Sequence, residues 1–282
     1  MTEQVTVNRE YKARVFAMIF RDKKELLELY NAISGRNYED EELLTITTLE
    51  NAIYMSFQND VSFIIDSRLS LYEHQSTYNP NMPLRFLLYL ADIYAGLVKD
   101  KNIYGSKIIP LPEPRFIVFY NGVEEHPDHE ELRISDAYQV KEKNVALELV
   151  ADVLNINAGH NEKLLKACKT LGDYAEYVRR IREYAKEVPI EKAVERAIQE
   201  CIREDILREF LKKNRSEAKA MSIYEYNEEE HMLMERQDAF ADGFKAGSEQ
   251  EQANTERERQ RADKAEEEIR KLREELEKLK KR

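Results

Sequence analysis

The sequence predicts an α/β domain at its N-terminal end, a helical region after it, and a charged coiled-coil tail. Three observations carry this reading. Between Asn51 and Ser76 the apolar residues fall in short β-branched and aromatic runs. Before and after that stretch, and throughout from about His160, they recur every three or four positions. Residues 262–279 hold a heptad seam. The boundaries read as residues 1–158, 159–245 and 246–282. Only 8 Gly and 7 Pro in 282 residues argue against an all-β chain, and 35% charged residues, above the usual quarter, suit long solvated helices.

In chain order, residues 1 to about 35 hold an amphipathic helix pair. Val15, Phe16, Met18, Ile19 and Phe20 come first, and KKELLELYNAISG follows, stopping at Gly35. Asn37–Glu50 reads as a polar connector. The runs AIYMSF, NDVSFIID and RLSLYEHQS read as strands, with turns at Asn59-Asp60 and Asp66-Ser67, where Asp serves local backbone hydrogen bonds. NPNMPLRFLLYLADIYAGLVKD starts with prolines and continues as a helix, with Leu84, Leu87, Leu88, Ala91, Tyr94 and Ala95 expected on one face. PEPRFIVFYNG reads as a buried central strand ending at Gly122. VALELVADVLNIN reads as another, although its first half also suits a helix.

Two further amphipathic stretches, NEKLLKACKTLGDYAEYVRRIREYAKEV and EKAVERAIQECIREDILREFLKKN, read as helices. A more polar segment with Tyr224, Tyr226, Met232, Met234 and Phe240 then leads to a GFKAG hinge at residues 243–247. In the tail, Ala262, Ala265, Ile269, Leu272, Leu276 and Leu279 alternate spacings of three and four, with charges elsewhere. Such a seam is expected to pair with another copy of the chain as a homo-oligomer; the alternative is a solvated single helix.

Composition narrows the function classes. Cys168 and Cys201 lie in helical patterns without a CxxC pair, so they read as core residues and not as a disulfide or zinc framework. No apolar signal core opens the sequence and no run of about 18 uncharged apolar residues occurs, so a cytoplasmic location is expected. A net charge of −11 argues against a generic nucleic-acid coat. It leaves room for a nuclease, which needs basic groups only at the rim of its cleft. Phosphate-loop, GxGxxG, HExxH and GxSxG motifs are absent.

The chemistry-bearing stretch is NDVSFIIDSRLSLYEHQSTYNPNMPLR. Strand alternation puts Glu73 and Gln75 on one face and His74 on the other, as a core or interface group whose carbonyl remains available to a metal. A carboxylate and an amide at a core-facing strand end need compensation. A hairpin neighbour starting at Asp60 brings a second carboxylate beside Glu73. Two carboxylates and a backbone carbonyl suit Mg²⁺ or Mn²⁺, which polarises a phosphoryl oxygen and activates water. The alternative is an ordinary polar hairpin edge. Tyr78 and Arg85 are candidates to meet a phosphate at the start of the following helix; otherwise Arg85 is a surface charge. His126 and His129 in EEHPDHEE read as a solvated acidic loop. Asp152 is placed on a strand of unknown register.

The run NDVSFIID…LSLYEHQSTYNPNMPLRFLLYLADIY resembles the core of the PD-(D/E)XK nuclease superfamily, and within it the recombination-promoting nuclease (Rpn), transposase-like family of bacteria. The likeness continues through PEPRFIVFYNG, KTLGDYAEYVRRIREY and YEYNEEEHMLMERQDAFADGF, covering most of residues 10–245. This resemblance implies a restriction-endonuclease-like αβββαβ core and magnesium- or manganese-dependent endonucleolytic cleavage of DNA, linked to recombination or mobile elements. It puts the motif Asp on Asp60 and (D/E)-x-K on Glu73-His74-Gln75, so Gln75 stands where a lysine helps the attacking water. Glu25 and Glu28 are the candidates for the superfamily's helical Glu, against a reading as solvated surface charges. The alternative is a nuclease-fold protein that binds DNA or protein without chemistry.

Overall fold

The computed structural model describes residues 15–48 and 60–280; the expected AIYMSF strand lies outside them, as does Asn59 of the first turn. These residues divide into two compact units, one ending at Glu229 and one beginning at Glu230.

The first unit is a mixed α/β fold. Its sheet has the order β1-β2-β3-β4-β6-β5, with β1 at Thr45–Ile46, β2 at Val61–Ile65, β3 at Arg68–Gln75, β4 at Glu113–Tyr120, β5 at His129–Arg133 and β6 at Val150–Asn155. Strand β2 runs antiparallel to both its neighbours, β1 and β3, while β3, β4 and β6 run parallel, and β5 closes the far edge antiparallel to β6. Both edges are guarded. One strand has two residues, and the other, HEELR, is charged along its length.

The β2–β3 turn has two residues, Asp66 and Ser67, with φ of 48° and 59°. Those are the angles a tight hairpin requires, and Asp tolerates them. The Asp66 carboxylate accepts from Arg68 at 2.7 Å and from the Tyr38 hydroxyl at 3.1 Å, and the Arg68 bond holds it below the usual carboxylate range. Parallel pairing of β3 with β4 needs a crossover, supplied by a helix at Met82–Val98, α3 in chain order after α1 (Val15–Phe20) and α2 (Lys23–Ser34).

Helices cover both faces of the sheet, which is why β3 is buried along nearly its whole length. On one face Tyr72 and Phe119 meet Phe16 of α1 and Tyr174 of α5 (Lys169–Ala185), with ring centroids 5.3–5.6 Å apart. On the other, Leu69, Leu71, Val118 and Tyr120 meet Met82, Phe86, Tyr89 and Ile93 of α3. This corrects the expected face of α3: Leu84, Ala91 and Ala95 are exposed. The long apolar run LRFLLYLA fits two helical stripes, and only the sheet decides which is buried.

Other expectations change. The stretch 37–50 contains β1 and a 3-10 turn at Glu41–Leu43. The helical stretch after residue 159 does not form a separate region ending at 245. Helices α4 (Glu162–Ala167), α5, α6 (Ile190–Arg203), α7 (Arg208–Lys213) and the start of α8 (Arg215–Lys280) complete the core that begins at Val15. Cys168 and Cys201 are buried free thiols in that core, both pushed up to about 12 by burial. Helix α8 also runs through residues 243–247, where a hinge was expected. In the second unit the seam residues Ala262, Ala265 and Ile269 are exposed in the single chain. No helix among the described residues is long and apolar enough to cross a membrane.

Candidate active site

The β2–β3 register pairs Val61 with Tyr72, so the residue before β2, Asp60, falls opposite Glu73. Each then uses its carboxylate to hold the other strand's backbone. The Asp60 amide donates to Glu73 Oε1 at 3.1 Å, and the His74 amide donates to Asp60 Oδ2 at 2.7 Å. An aspartate's own nitrogen and carboxylate oxygens lie at most about 4.5 Å apart by covalent geometry. With the 3.1 Å bond added, an oxygen of each carboxylate lies at most about 8 Å from the other, and sharing one Mg²⁺ would bring them within about 4 Å.

Glu73 is 3% exposed and needs a counter-charge. Arg85, in the first turn of α3, supplies it: Nη2 lies 3.2 Å from Glu73 Oε2. The same guanidinium donates from Nε and Nη2 to the Tyr89 hydroxyl at 3.2 and 2.8 Å, and from Nη1 to Met82 Sδ at 3.3 Å. Tyr89 is pushed up to about 12, first by burial and then by Glu73, so it stays protonated. Tyr89 was not among the expected residues. Its i+4 spacing from Arg85 is the signal that joins them.

Gln75 shares the Glu73 face, as expected, and is buried. Its Nε2 donates to Met82 Sδ at 2.7 Å and its carbonyl accepts from the Asn121 amide at 2.9 Å. His74 faces the opposite way, 3.0 Å from the Tyr174 hydroxyl and stacked on Phe16. The cluster therefore sits at the carboxyl ends of β3 and β4, beside the start of α3, where open α/β sheets place their ligands.

Other expected residues lie elsewhere. Tyr78 stacks on the His126 ring, centroids 4.2 Å apart. His126 in turn approaches Glu130 at 3.3 Å, so it is a packed ring and not part of a solvated loop. His129 belongs to β5 and meets Asp152 at 2.8 Å. Asp152 pairs in register with Ile117, which points away from α3, so it does not face Glu73. Glu25 and Glu28 are also on that opposite face. They cap α5: Glu28 accepts from the Lys169 amide at 2.8 Å, and both accept from the Thr170 hydroxyl. A cleft of about 600 Å³ opens beside them, lined by charges of both signs including Arg21, Asp173 and Lys213, away from Glu73.

Among the described residues no group of three or more His, Cys, Asp or Glu is gathered for a metal, so a site built from side chains alone does not fit. A hard cation that keeps most of its waters fits better. Mg²⁺ takes one or two carboxylates, and each carboxylate oxygen has two lone-pair sites. An ion there would share Glu73 with the Asp60 amide and Arg85, and Asp60 with the His74 amide. The chain matches no protein-family model, no curated protein and no solved structure.

Proposed function

We propose that the first unit is a metal-dependent DNA endonuclease with a restriction-endonuclease-like core, as the resemblance to recombination-promoting nucleases implies. The observation that carries this reading is the reciprocal pairing of Asp60 and Glu73 through each other's backbone. The element order α2, β1, β2, β3, α3, β4, with β3 and β4 parallel, supports an αβββαβ core.

On this reading Asp60 and Glu73 hold one Mg²⁺ or Mn²⁺. Bound there, the ion supplies charge neutralisation at a phosphoryl oxygen and water activation. Each carboxylate is oriented by a backbone amide of the neighbouring strand. Gln75 offers an amide to orient the water or the scissile phosphate, in place of the lysine's charge. The protein acts in the cytoplasm on DNA, in the context of recombination or mobile elements, and pairs with a second copy through the tail seam.

A second reading, a nuclease fold that binds DNA or protein without cleaving, is favoured by Gln75 at the lysine position and its amide bond to Met82. A plasmid-nicking assay with Mg²⁺, Mn²⁺ or EDTA, run on the full chain and on Asp60→Ala and Glu73→Ala, separates the two. Cleavage that needs metal and disappears in both variants supports the enzyme. Cleavage indifferent to both substitutions sinks the site assignment, and no cleavage of any substrate selects the binding reading.

A further inference from the structure

We infer that Arg85 stands in for the divalent cation at Glu73 and that metal binds by displacing it, so that Arg85 gates the site. This deepens the metal-site reading above and rests on it.

Position is the first argument. Arg85 lies in the first turn of α3, where the helix dipole disfavours a cation. Glu73, at 3.2 Å, is its counter-charge there. The Arg85 side chain is 29% exposed while that of Glu73 is 4% exposed, so Arg85 is the more open partner of the pair.

Charge is the second. A guanidinium and a divalent ion cannot both sit against one carboxylate without strong repulsion, because at such separations Coulomb energies are large even at high effective dielectric. Glu73 therefore changes partners, the divalent ion taking the guanidinium's place against it. Tether is the third. Two hydrogen bonds to the Tyr89 hydroxyl keep the displaced guanidinium at the mouth of the site. There its planar fork suits the two oxygens of a phosphodiester, which supplies the cation that Gln75 lacks. The ligand that Arg85 takes after release is thus the scissile or adjacent phosphate of the DNA strand.

The test is Mn²⁺ binding to the full-length chain, by calorimetry and by the loss of the free-ion electron paramagnetic resonance signal, without DNA. Arg85→Gln should bind Mn²⁺ at least about tenfold more tightly than wild type, the effect of removing a unit charge roughly 5 Å from a divalent ion in near-aqueous dielectric. Arg85→Lys, which keeps the charge, should stay near wild type. In the cleavage assay Arg85→Gln should turn over more slowly despite its tighter metal. Equal or weaker Mn²⁺ binding by Arg85→Gln, with wild-type binding lost in Glu73→Gln, overturns the gate and leaves the metal site standing. Absence of any Glu73-dependent binding overturns the metal site, and the gate falls with it. A measurement on wild type guards against misfolding of Arg85→Gln. The Arg85 Nε–H resonance, assigned by its disappearance in Arg85→Lys, should shift with Mg²⁺ at the midpoint of Mg²⁺ binding, and a resonance that does not move contradicts displacement.

Discussion

Gly122, just beyond β4, lies against Ser76, the residue that follows β3. A Cβ built there falls well inside contact distance of the Ser76 carbonyl oxygen and the Tyr120 hydroxyl, and 2.6 Å from Tyr120 Cε2. Neither neighbour yields easily. Ser76 follows Gln75, whose carbonyl is bound to the Asn121 amide at 2.9 Å, and Tyr120 is 1% exposed with its hydroxyl donating to the Glu124 carbonyl at 2.9 Å. Gly122→Ala therefore costs overpacking of about 1–3 kcal/mol, and about 1 kcal/mol more if the Tyr120 bond breaks. Alanine returns about 0.4–1 kcal/mol through the unfolded chain, leaving a net loss of roughly 1–3.5 kcal/mol when the Tyr120 bond breaks. For a unit of this size that corresponds to a fall in Tm of roughly 2–14 °C. Urea unfolding followed by tyrosine fluorescence suits a chain with 16 Tyr and no Trp. An unchanged m-value with a lower midpoint is expected, and stability within about 0.5 kcal/mol of wild type would refute the close approach. Because the same contact positions Gln75, cleavage should fall beyond what unfolding explains.

Three further outcomes follow from other parts of the molecule. Glu195 is held down to about 2, chiefly by the Lys219 ammonium and then by Arg215. A depressed folded pKa means stability present above the ordinary carboxylate range and lost as pH falls through about 2, so Glu195→Gln should be less stable than wild type at pH 7. Solvent screening limits the gap to about 1 kcal/mol, and acid titration of stability should show it closing below about pH 4. Glu28→Gln weakens the cap on the Lys169 amide and should cost about 0.5–1.5 kcal/mol while leaving metal-dependent cleavage unchanged; loss of cleavage in the folded variant would return Glu28 to the active site. Ile269→Glu places a charge on the tail seam, where Ile269 is half exposed in the single chain, and sedimentation should show a lower oligomeric state. An unchanged mass discards pairing through that seam.

What the sequence made legible is what local rules govern. Gly35 stops α2 with φ of 66°, and Asp66-Ser67 turns the hairpin, because single residues decide such conformations. The alternation around Glu73 put it beside Gln75 and opposite His74. What it left hidden depends on pairing across the chain. The face of α3 follows from sheet packing, so the partnership of Glu73 with Arg85 and Tyr89 was not visible although Arg85 itself was singled out. Glu25 and Glu28 look like free surface charges in the α2 sequence. Their role as caps exists only because α5, about 140 residues later, docks its first turn on them. Strand β5 was missed because HEELR is nearly all charged, which suits an edge strand as well as a loop.

The central claim is that Asp60 and Glu73 share one hard cation. Anomalous diffraction from crystals of the full chain soaked in Mn²⁺ tests it most directly. The account predicts one manganese peak at the carboxyl ends of β3 and β4, about 2.1 Å from an oxygen of each residue, with the Arg85 guanidinium turned away from Glu73. A peak held by other residues, or Asp60, Glu73 and Arg85 unchanged at a Mn²⁺ concentration that supports cleavage, would contradict it.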